Sequence, residues 1–342
     1  MSAPAVFIVT GPTAGGKAAF ARKVAARFDV PVLSLDSMKI YSGMDIGTAK
    51  PTPELIRSTP FHLVNLRDPW QPFSIGEYLD ELQKLLPSLP SPLVLSGGTT
   101  FYLNAILDGI FEGPAAQPEI RDRLEAEAAQ RGVEVLYERL TQLDPDVAAN
   151  IQSADLRRIV RALEVIEVTG ERFSVLQKQR KPFFAPGTVR VFGFARPRNQ
   201  LYDRINERVV RMFDAGWVDE VARLLQAHDP PWGEAASQSI GYAQIAAALR
   251  AGTDPRGEIE GIQNRTRRFA RGQLKWLRRL PVEWWQPHES DRLLDHLEEL
   301  HGRFRKGESL GETSPERAAL NDSPLRSDSS ENVQDRQGRG RS

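Results

Sequence analysis

Gly11-Pro12-Thr13-Ala14-Gly15-Gly16-Lys17 spells G-x-x-x-x-G-K between an apolar run, Val6-Phe7-Ile8-Val9, and a helical pattern. That strand–loop–helix context is what a phosphate-binding loop requires. Glycines let backbone amides converge on phosphate oxygens, the helix N-terminus adds partial positive charge, and Lys17 adds a full one. An ordinary Gly-rich turn is the bland alternative. The next position, where P-loop hydrolases place a Ser or Thr hydroxyl on Mg²⁺, is Ala18. A methyl group cannot ligate a metal, so Mg²⁺ would have to bind through phosphate oxygens and water, or through another hydroxyl such as Thr13. The loop indicates a diphosphate or triphosphate without saying which molecule carries it.

A second apolar run, Val32-Leu33-Ser34-Leu35, ends in Asp36. In an open parallel sheet ligands bind at the carboxyl ends of the strands, so Asp36 and the phosphate loop share one edge. The carboxylate could hold a metal, act as a general base beside a bound substrate, or cap a helix.

Around these residues the pattern is α/β. Leu63–Leu66, Leu93–Leu95 and Val189–Phe194 read as further strands, and Ala18–Phe28 as a helix with Phe20, Val24 and Phe28 on one face. Strands separated by helices imply a mostly parallel sheet. Residues 114–187 read instead as an inserted helical domain, with Pro118 opening a charged helix stopped by Gly132 and Asp155 capping another. The expected division is 1–113 and 188–301 for the core, 114–187 for the insertion, and 302–342 for a disordered tail too poor in apolar residues to fold. The terminal Arg336–Arg341 run could touch RNA nonspecifically or be a solvated tail.

Composition excludes several classes. Cysteine is absent, which removes disulfides, thiol catalysis and cysteine–zinc sites. No run of eighteen apolar residues and no secretory pattern is seen, so a cytosolic protein without membrane contact is expected. The 45 basic and 45 acidic residues cancel, so only local clustering can speak for nucleic acid. Residues 261–280 hold seven basic residues and no acid, with Arg265, Arg268, Arg271, Lys275 and Arg279 on one helical face and Ile262, Phe269, Trp276 and Leu280 on another. That face suits an RNA backbone; a solvated surface is the alternative. Arg204 and Arg208, one turn apart, could face the diphosphate or pair with Asp203 and Glu207.

Asp36-Ser37-Met38-Lys39-Ile40-Tyr41, running on through Gly43-Met44-Asp45-Ile46-Gly47-Thr48-Ala49-Lys50-Pro51, resembles the signature of the tRNA dimethylallyltransferases, also called tRNA isopentenyltransferases. The phosphate loop, His62-Leu63 with Arg67-Asp68-Pro69, Gly97-Gly98-Thr99 with Tyr102, Arg161–Val165, Gly241-Tyr242, and Gln273 with Trp276 and Arg278 follow in the family's order, over roughly residues 6 to 285.

The resemblance implies a P-loop NTPase-like parallel sheet flanked by helices, with the insertion gripping the anticodon stem. It implies transfer of dimethylallyl from dimethylallyl diphosphate to N6 of the adenosine 3′ to the anticodon, in tRNAs reading U-starting codons. Asp36 would be the base, Lys17 and Thr99 would assist, and Gly11–Ala18 with Arg204 and Arg208 would bind the diphosphate, with Mg²⁺ as cofactor. Expected tRNA contacts are Asp36, Ser37, Met38, Lys39, Thr99, Arg121, Arg157, Arg158, Arg161, Gly241, Tyr242, Arg265 and Arg268. A monomer is expected. Rival readings are an adenine-nucleotide prenyltransferase, a small-molecule P-loop kinase, and a catalytically weakened RNA-binding homologue.

Overall fold

The protein is described by a computed structural model covering residues 3–111 and 113–311. In chain order the elements are β1 (Val6–Thr10), α1 (Lys17–Phe28), β2 (Val32–Ser34), α2 (Pro53–Ser58), β3 (Phe61–His62), α3 (Ile75–Leu85), β4 (Leu93–Ser96) and α4 (Thr100–Leu107). Then come α5 (Pro118–Arg131), α6 (Val133–Leu143), α7 (Pro145–Ala148), α8 (Leu156–Thr169) and α9 (Phe173–Leu176). The chain continues through β5 (Val189–Phe194), α10 (Arg198–Asp214), α11 (Trp217–Ala227), α12 (Glu234–Ser237), α13 (Tyr242–Ala251), α14 (Ile259–Leu277), β6 (Val282–Trp285) and α15 (Ser290–Arg305).

Six strands form one parallel sheet in the order β3-β2-β4-β1-β5-β6. β1 lies between β4 and β5 and is buried along its whole length, as a continuous apolar run in a parallel sheet should be. Phe7 and Val9 of β1 pack with Phe20 and Val24 of α1 and with Leu293, Leu297 and Leu300 of α15. The chain leaves β1 for β2 on one side and reaches β5 on the other, so the loop after β1 sits where the order reverses.

Two compact units result: Met1–Leu103 together with Phe184–Ser342, and Asn104–Phe183. The smaller unit begins ten residues before the expected 114–187. It gathers Leu124 of α5, Leu136 and Leu140 of α6, and Ile159 and Leu163 of α8 into its own core. Gly132 (φ +91°) ends α5, and the Asp155 carboxylate accepts the Arg158 amide at 3.2 Å to start α8.

Two expectations need correction, and one strand was not expected. The strand at Leu63–Leu66 lies instead at Phe61–His62, because Leu63 and Asn65 take positive φ (61° and 54°), which ends extended pairing. β6, with its buried Trp284 and Trp285, went unread. The expected tail from 302 is ordered to Gly311: α15 runs to Arg305, and Leu310 is 2% exposed in the main core. The Leu310 amide donates to the Gly187 carbonyl (2.8 Å), and its carbonyl accepts from Arg190 Nη1 (2.9 Å). Phe304 packs on the same core, so two apolar side chains and a backbone clip anchor the segment after His301. The rest of the expected tail, 312–342, lies outside the described residues.

Candidate active site

The loop after β1 is shaped by positions that only small residues fill. Gly11 sits at φ +141°, and a Cβ there would stand 2.9 Å from the Phe194 carbonyl oxygen of β5. Ala14 (φ 59°) and Gly16 (φ +110°) complete the reversal into α1, whose first turn carries no acid and no side-chain cap. That leaves its amide end for an outside anion. The loop is braced from behind. Gln273 of α14 accepts the Thr13 amide (2.8 Å) and donates to the Gly98 carbonyl (2.8 Å), joining the loops after β1 and β4. Arg196 donates to the Gly15 carbonyl (3.2 Å) and Arg204 to the Ala14 carbonyl (3.1 Å).

The neighbouring loops are equally tight. A Cβ at Gly97 would overlap the Leu35 carbonyl. The Thr10 hydroxyl donates to the Gly97 carbonyl (2.9 Å), and the Ser37 amide donates to Thr99 Oγ1 (3.1 Å). Asp36 accepts the Met38 amide at 3.0 Å, which fixes its carboxylate just past β2. Lys17 donates to the Pro12 carbonyl (3.2 Å), and its ammonium lies beside Gly98, 3.4 Å from where a Cβ would be.

Lys17, Lys39 and Arg208 lie within the field of Asp36. Burial lowers the Lys17 pKa to about 7; Asp36 opposes this, while Arg208 and Lys39 push the same way. Lys39 is lowered by burial, with Asp36 again opposing and Arg208 adding repulsion. Arg208 is lowered from its ordinary value by burial, against Asp36. The fold therefore brings Asp36, Lys17, Lys39, Arg208, Thr99 and the phosphate loop to one edge. Arg204 bonds to this loop and Arg208 lies within the field of Lys17 and Asp36; Glu207 pairs with Arg211 instead.

Other expected residues are placed differently. Tyr242 is fully buried and its hydroxyl donates to Glu220 (2.7 Å); Gly241 (φ +98°) backs onto Trp217. Both pack the interior of the structure, Tyr242 with Glu220 and Gly241 against Trp217. Arg121 and Arg161 grip Glu164, a fully buried carboxylate, at 2.8 and 2.6 Å. Two guanidiniums against one carboxylate leave a net positive charge, and both arginines stay about a third exposed. Arg157 and Arg158 are exposed on α8, Arg158 paired with Asp155 at 3.4 Å.

Arg265 and Arg268 are exposed on α14. Phe269 (50% exposed) and Trp276 (48%) flank them in solvent, because the buried stripe of that helix runs through Ile262, Ala270, Gln273 and Leu277. The Arg279 guanidinium lies 4.9 Å over the Trp276 ring. A cleft between α10 and α14 is lined by Arg198, Tyr202, Arg271, Lys275 and Arg278.

The family model described as IPP transferase matches residues 39–280, and one described as isopentenyl transferase matches residues 4–69. The chain is 42% identical over 286 residues to a tRNA dimethylallyltransferase of Chloroflexus aurantiacus, covering 82% of this chain and 95% of that one. Against the Geobacter sulfurreducens tRNA dimethylallyltransferase it is 40% identical over 282 residues, covering 81% and 90%. The chain belongs to the tRNA dimethylallyltransferase family.

Among solved structures of such enzymes, the Bacillus halodurans tRNA isopentenylpyrophosphate transferase superposes with a TM-score of 0.63 at 30% identity, covering 89% of this chain and 99% of that one. A eukaryotic dimethylallyltransferase acting on tRNA shares the fold, with a TM-score of 0.77 at 20% identity over 93% and 84%. For this member of the family, sequence reasoning missed two residues at the site, Arg196 and Glu220, and gave no role to Gln273. Glu220 and Gln273 left a signal: each is a polar residue on a helical stripe that is otherwise apolar, beside Trp217, Val221 and Leu224 and beside Ala270 and Leu277.

Proposed function

We propose that this chain transfers the dimethylallyl group of dimethylallyl diphosphate to N6 of the adenosine 3′-adjacent to the anticodon, in tRNAs reading U-starting codons. The observation that carries the reading is the convergence of one carboxylate, Asp36, with a phosphate loop and two further cations. An adenine amino group is a poor nucleophile, because its lone pair is delocalised into the ring. As N6 bonds to the allylic carbon, Asp36 takes the N6 proton and the C–O bond to diphosphate breaks. Lys17, Arg208 and the loop amides stabilise the charge gathering on the departing diphosphate. The base must leave the anticodon stack to reach Asp36. Arg157, Arg158, Arg265 and Arg268 supply exposed positive charge for the RNA backbone.

Mg²⁺ would enter with the diphosphate and add positive charge to it. Ala18 offers a methyl group, and among the described residues no three His, Cys, Asp or Glu side chains converge. Mg²⁺ would therefore be held by diphosphate oxygens and water, or by another loop hydroxyl such as Thr13, rather than by a side chain at position 18. No helix among the described residues is long and apolar enough to cross a membrane. The reading is of a cytosolic, monomeric enzyme.

Incubation with labelled dimethylallyl diphosphate and tRNA, AMP or ATP tests this. Label entering tRNA alone is expected. Label on AMP or ATP would make it a nucleotide prenyltransferase. Phosphoryl transfer from ATP would make it a kinase, and tRNA binding without transfer a noncatalytic homologue.

A further inference from the structure

The segment from Asp36 to Lys50 contains no helix or strand, yet Ile40, Tyr41 and Met44 within it are buried. A carboxylate from α11 holds it. Glu220 is 3% exposed, and its Oε2 accepts the amides of Asp45 (2.9 Å) and Ile46 (2.7 Å). Its Oε1 accepts the Tyr242 hydroxyl (2.7 Å) and the Gly47 amide (3.4 Å). Three successive amides turned toward one carboxylate form a concavity of the kind that binds anions. Here the chain's own carboxylate fills it. The surround is built to match: a Cβ at Gly47 would overlap both Trp217 and Tyr242.

Lys50 closes the turn from the other side. Its ammonium donates to Asp45 Oδ1 (2.6 Å), Asn65 Oδ1 (2.6 Å) and the Tyr41 carbonyl. From there the fixation passes back along the chain. The Leu66 amide donates to the Ile40 carbonyl (2.7 Å) and the Asn65 amide to the Lys39 carbonyl (3.1 Å). Lys39 is thereby fixed within the field of Lys17 and Asp36, and the Met38 amide between them bonds the Asp36 carboxylate. The phosphate loop has separate braces in Gln273 and Arg204, and neither touches Glu220.

We infer that Glu220 is a positioning residue for the transfer: an internal anion, seated in the amides of residues 45–47, that fixes the segment presenting Asp36 and Lys39 to the phosphate loop. This rests on the transferase reading above. Because the phosphate loop is braced independently, loss of Glu220 should spare donor binding and strike turnover. A misplacement of about 1 Å at a reacting group costs about 10²-fold in rate.

The test compares Glu220→Ala, Glu220→Gln and Tyr242→Phe with the wild-type protein. Glu220→Ala should lose about 10²-fold in kcat, while its affinity for inorganic pyrophosphate stays within about threefold, under roughly 0.7 kcal/mol. Formate should restore turnover to the Ala variant by refilling the concavity. It should do nothing for the Gln variant, whose side chain blocks the space and turns an NH₂ toward donors. Hydrogen exchange at the amides of Asp45, Ile46 and Gly47 should quicken in the Ala variant and slow again with formate.

Unchanged kcat, or pyrophosphate affinity falling in step with kcat, would overturn the inference. If Glu220→Ala does not fold, Tyr242→Phe removes one donor of four and should lower kcat several-fold with pyrophosphate affinity kept; wild-type turnover there is equally fatal. A wild-type protein inert toward tRNA sinks the transferase reading instead. The exchange measurement still decides whether Glu220 seats the turn.

Discussion

Lys17 makes donor binding depend on pH in a way that can be worked out. Burial holds its pKa near about 7 in the free protein. Between pH 6 and pH 8 its charged fraction falls from about nine-tenths to about one-tenth. A diphosphate binds the charged form, so affinity should weaken about tenfold over that range. Binding should also take up close to one proton at pH 8 and almost none at pH 6, which calorimetry in buffers of different ionisation heat measures directly. The donor's own ionisation complicates the raw curve. Lys17→Arg removes that complication, because a guanidinium stays charged throughout. The ratio of wild-type to Lys17→Arg dissociation constants should climb about tenfold from pH 6 to pH 8. A flat ratio would show that Lys17 keeps an ordinary pKa and that burial does not depress it as described. The sign reverses for the stability of the free protein. Through the window from about 7 to the ordinary 10.5 the unfolded chain holds a proton that the folded chain has released, so this site favours folding more as pH rises there.

Asp36→Asn keeps the oxygen that accepts the Met38 amide but removes the proton acceptor, so single-turnover transfer should fall about 10²–10⁴-fold with tRNA binding nearly unchanged; a loss of only a few-fold would reject Asp36 as the base. Ala18→Thr supplies the hydroxyl that the helix start lacks, so turnover should rise and the Mg²⁺ concentration for half-maximal rate should drop at nearly constant donor affinity. Superimposable Mg²⁺ titrations of the two proteins would show the methyl group to be neutral. Leu310→Ala should cost about 2–4 kcal/mol in denaturant unfolding, and a chain ending at His301 should lose at least as much; an unchanged midpoint in both would mean that the segment after α15 is not anchored in solution.

Much of this site was legible because its chemistry is written in contiguous residues. Gly11–Lys17 needs positive φ, close approach and a cation within seven positions, and only the strand and helix on either side had to be recognised. Asp36 was equally plain, since an acid ending an apolar strand faces the ligand edge of a parallel sheet. Local reasoning failed where the deciding contact was distant. Leu310 looked isolated in a polar tail, because nothing nearby in sequence shows that Gly187 and Arg190 meet it. The resemblance alone singled out Gly241 and Tyr242, and nothing near them in sequence shows that Trp217 packs on the glycine or that Glu220 takes the tyrosine hydroxyl.

Glu220 and Gln273 show where such reading could go further. A charged or amide side chain on the buried face of an amphipathic helix is costly unless partners satisfy it. Its presence in an otherwise apolar stripe therefore announces a partner with several donors or acceptors. For Gln273 the partners are the Thr13 amide and the Gly98 carbonyl, 260 and 175 residues away in sequence. For Glu220 they are three amides lying 173 to 175 residues away, with the Tyr242 hydroxyl 22 away. Both helices lie outside the sequence of the loops they serve, and both reach those loops with the one polar group in a packed face. Packing sets where α11 and α14 lie, and the polar group then sets where the loop lies. On the proposed function, the Asp36 carboxylate that takes the proton is held to the tolerance of the helix core behind it, which is tighter than a free loop could keep on its own.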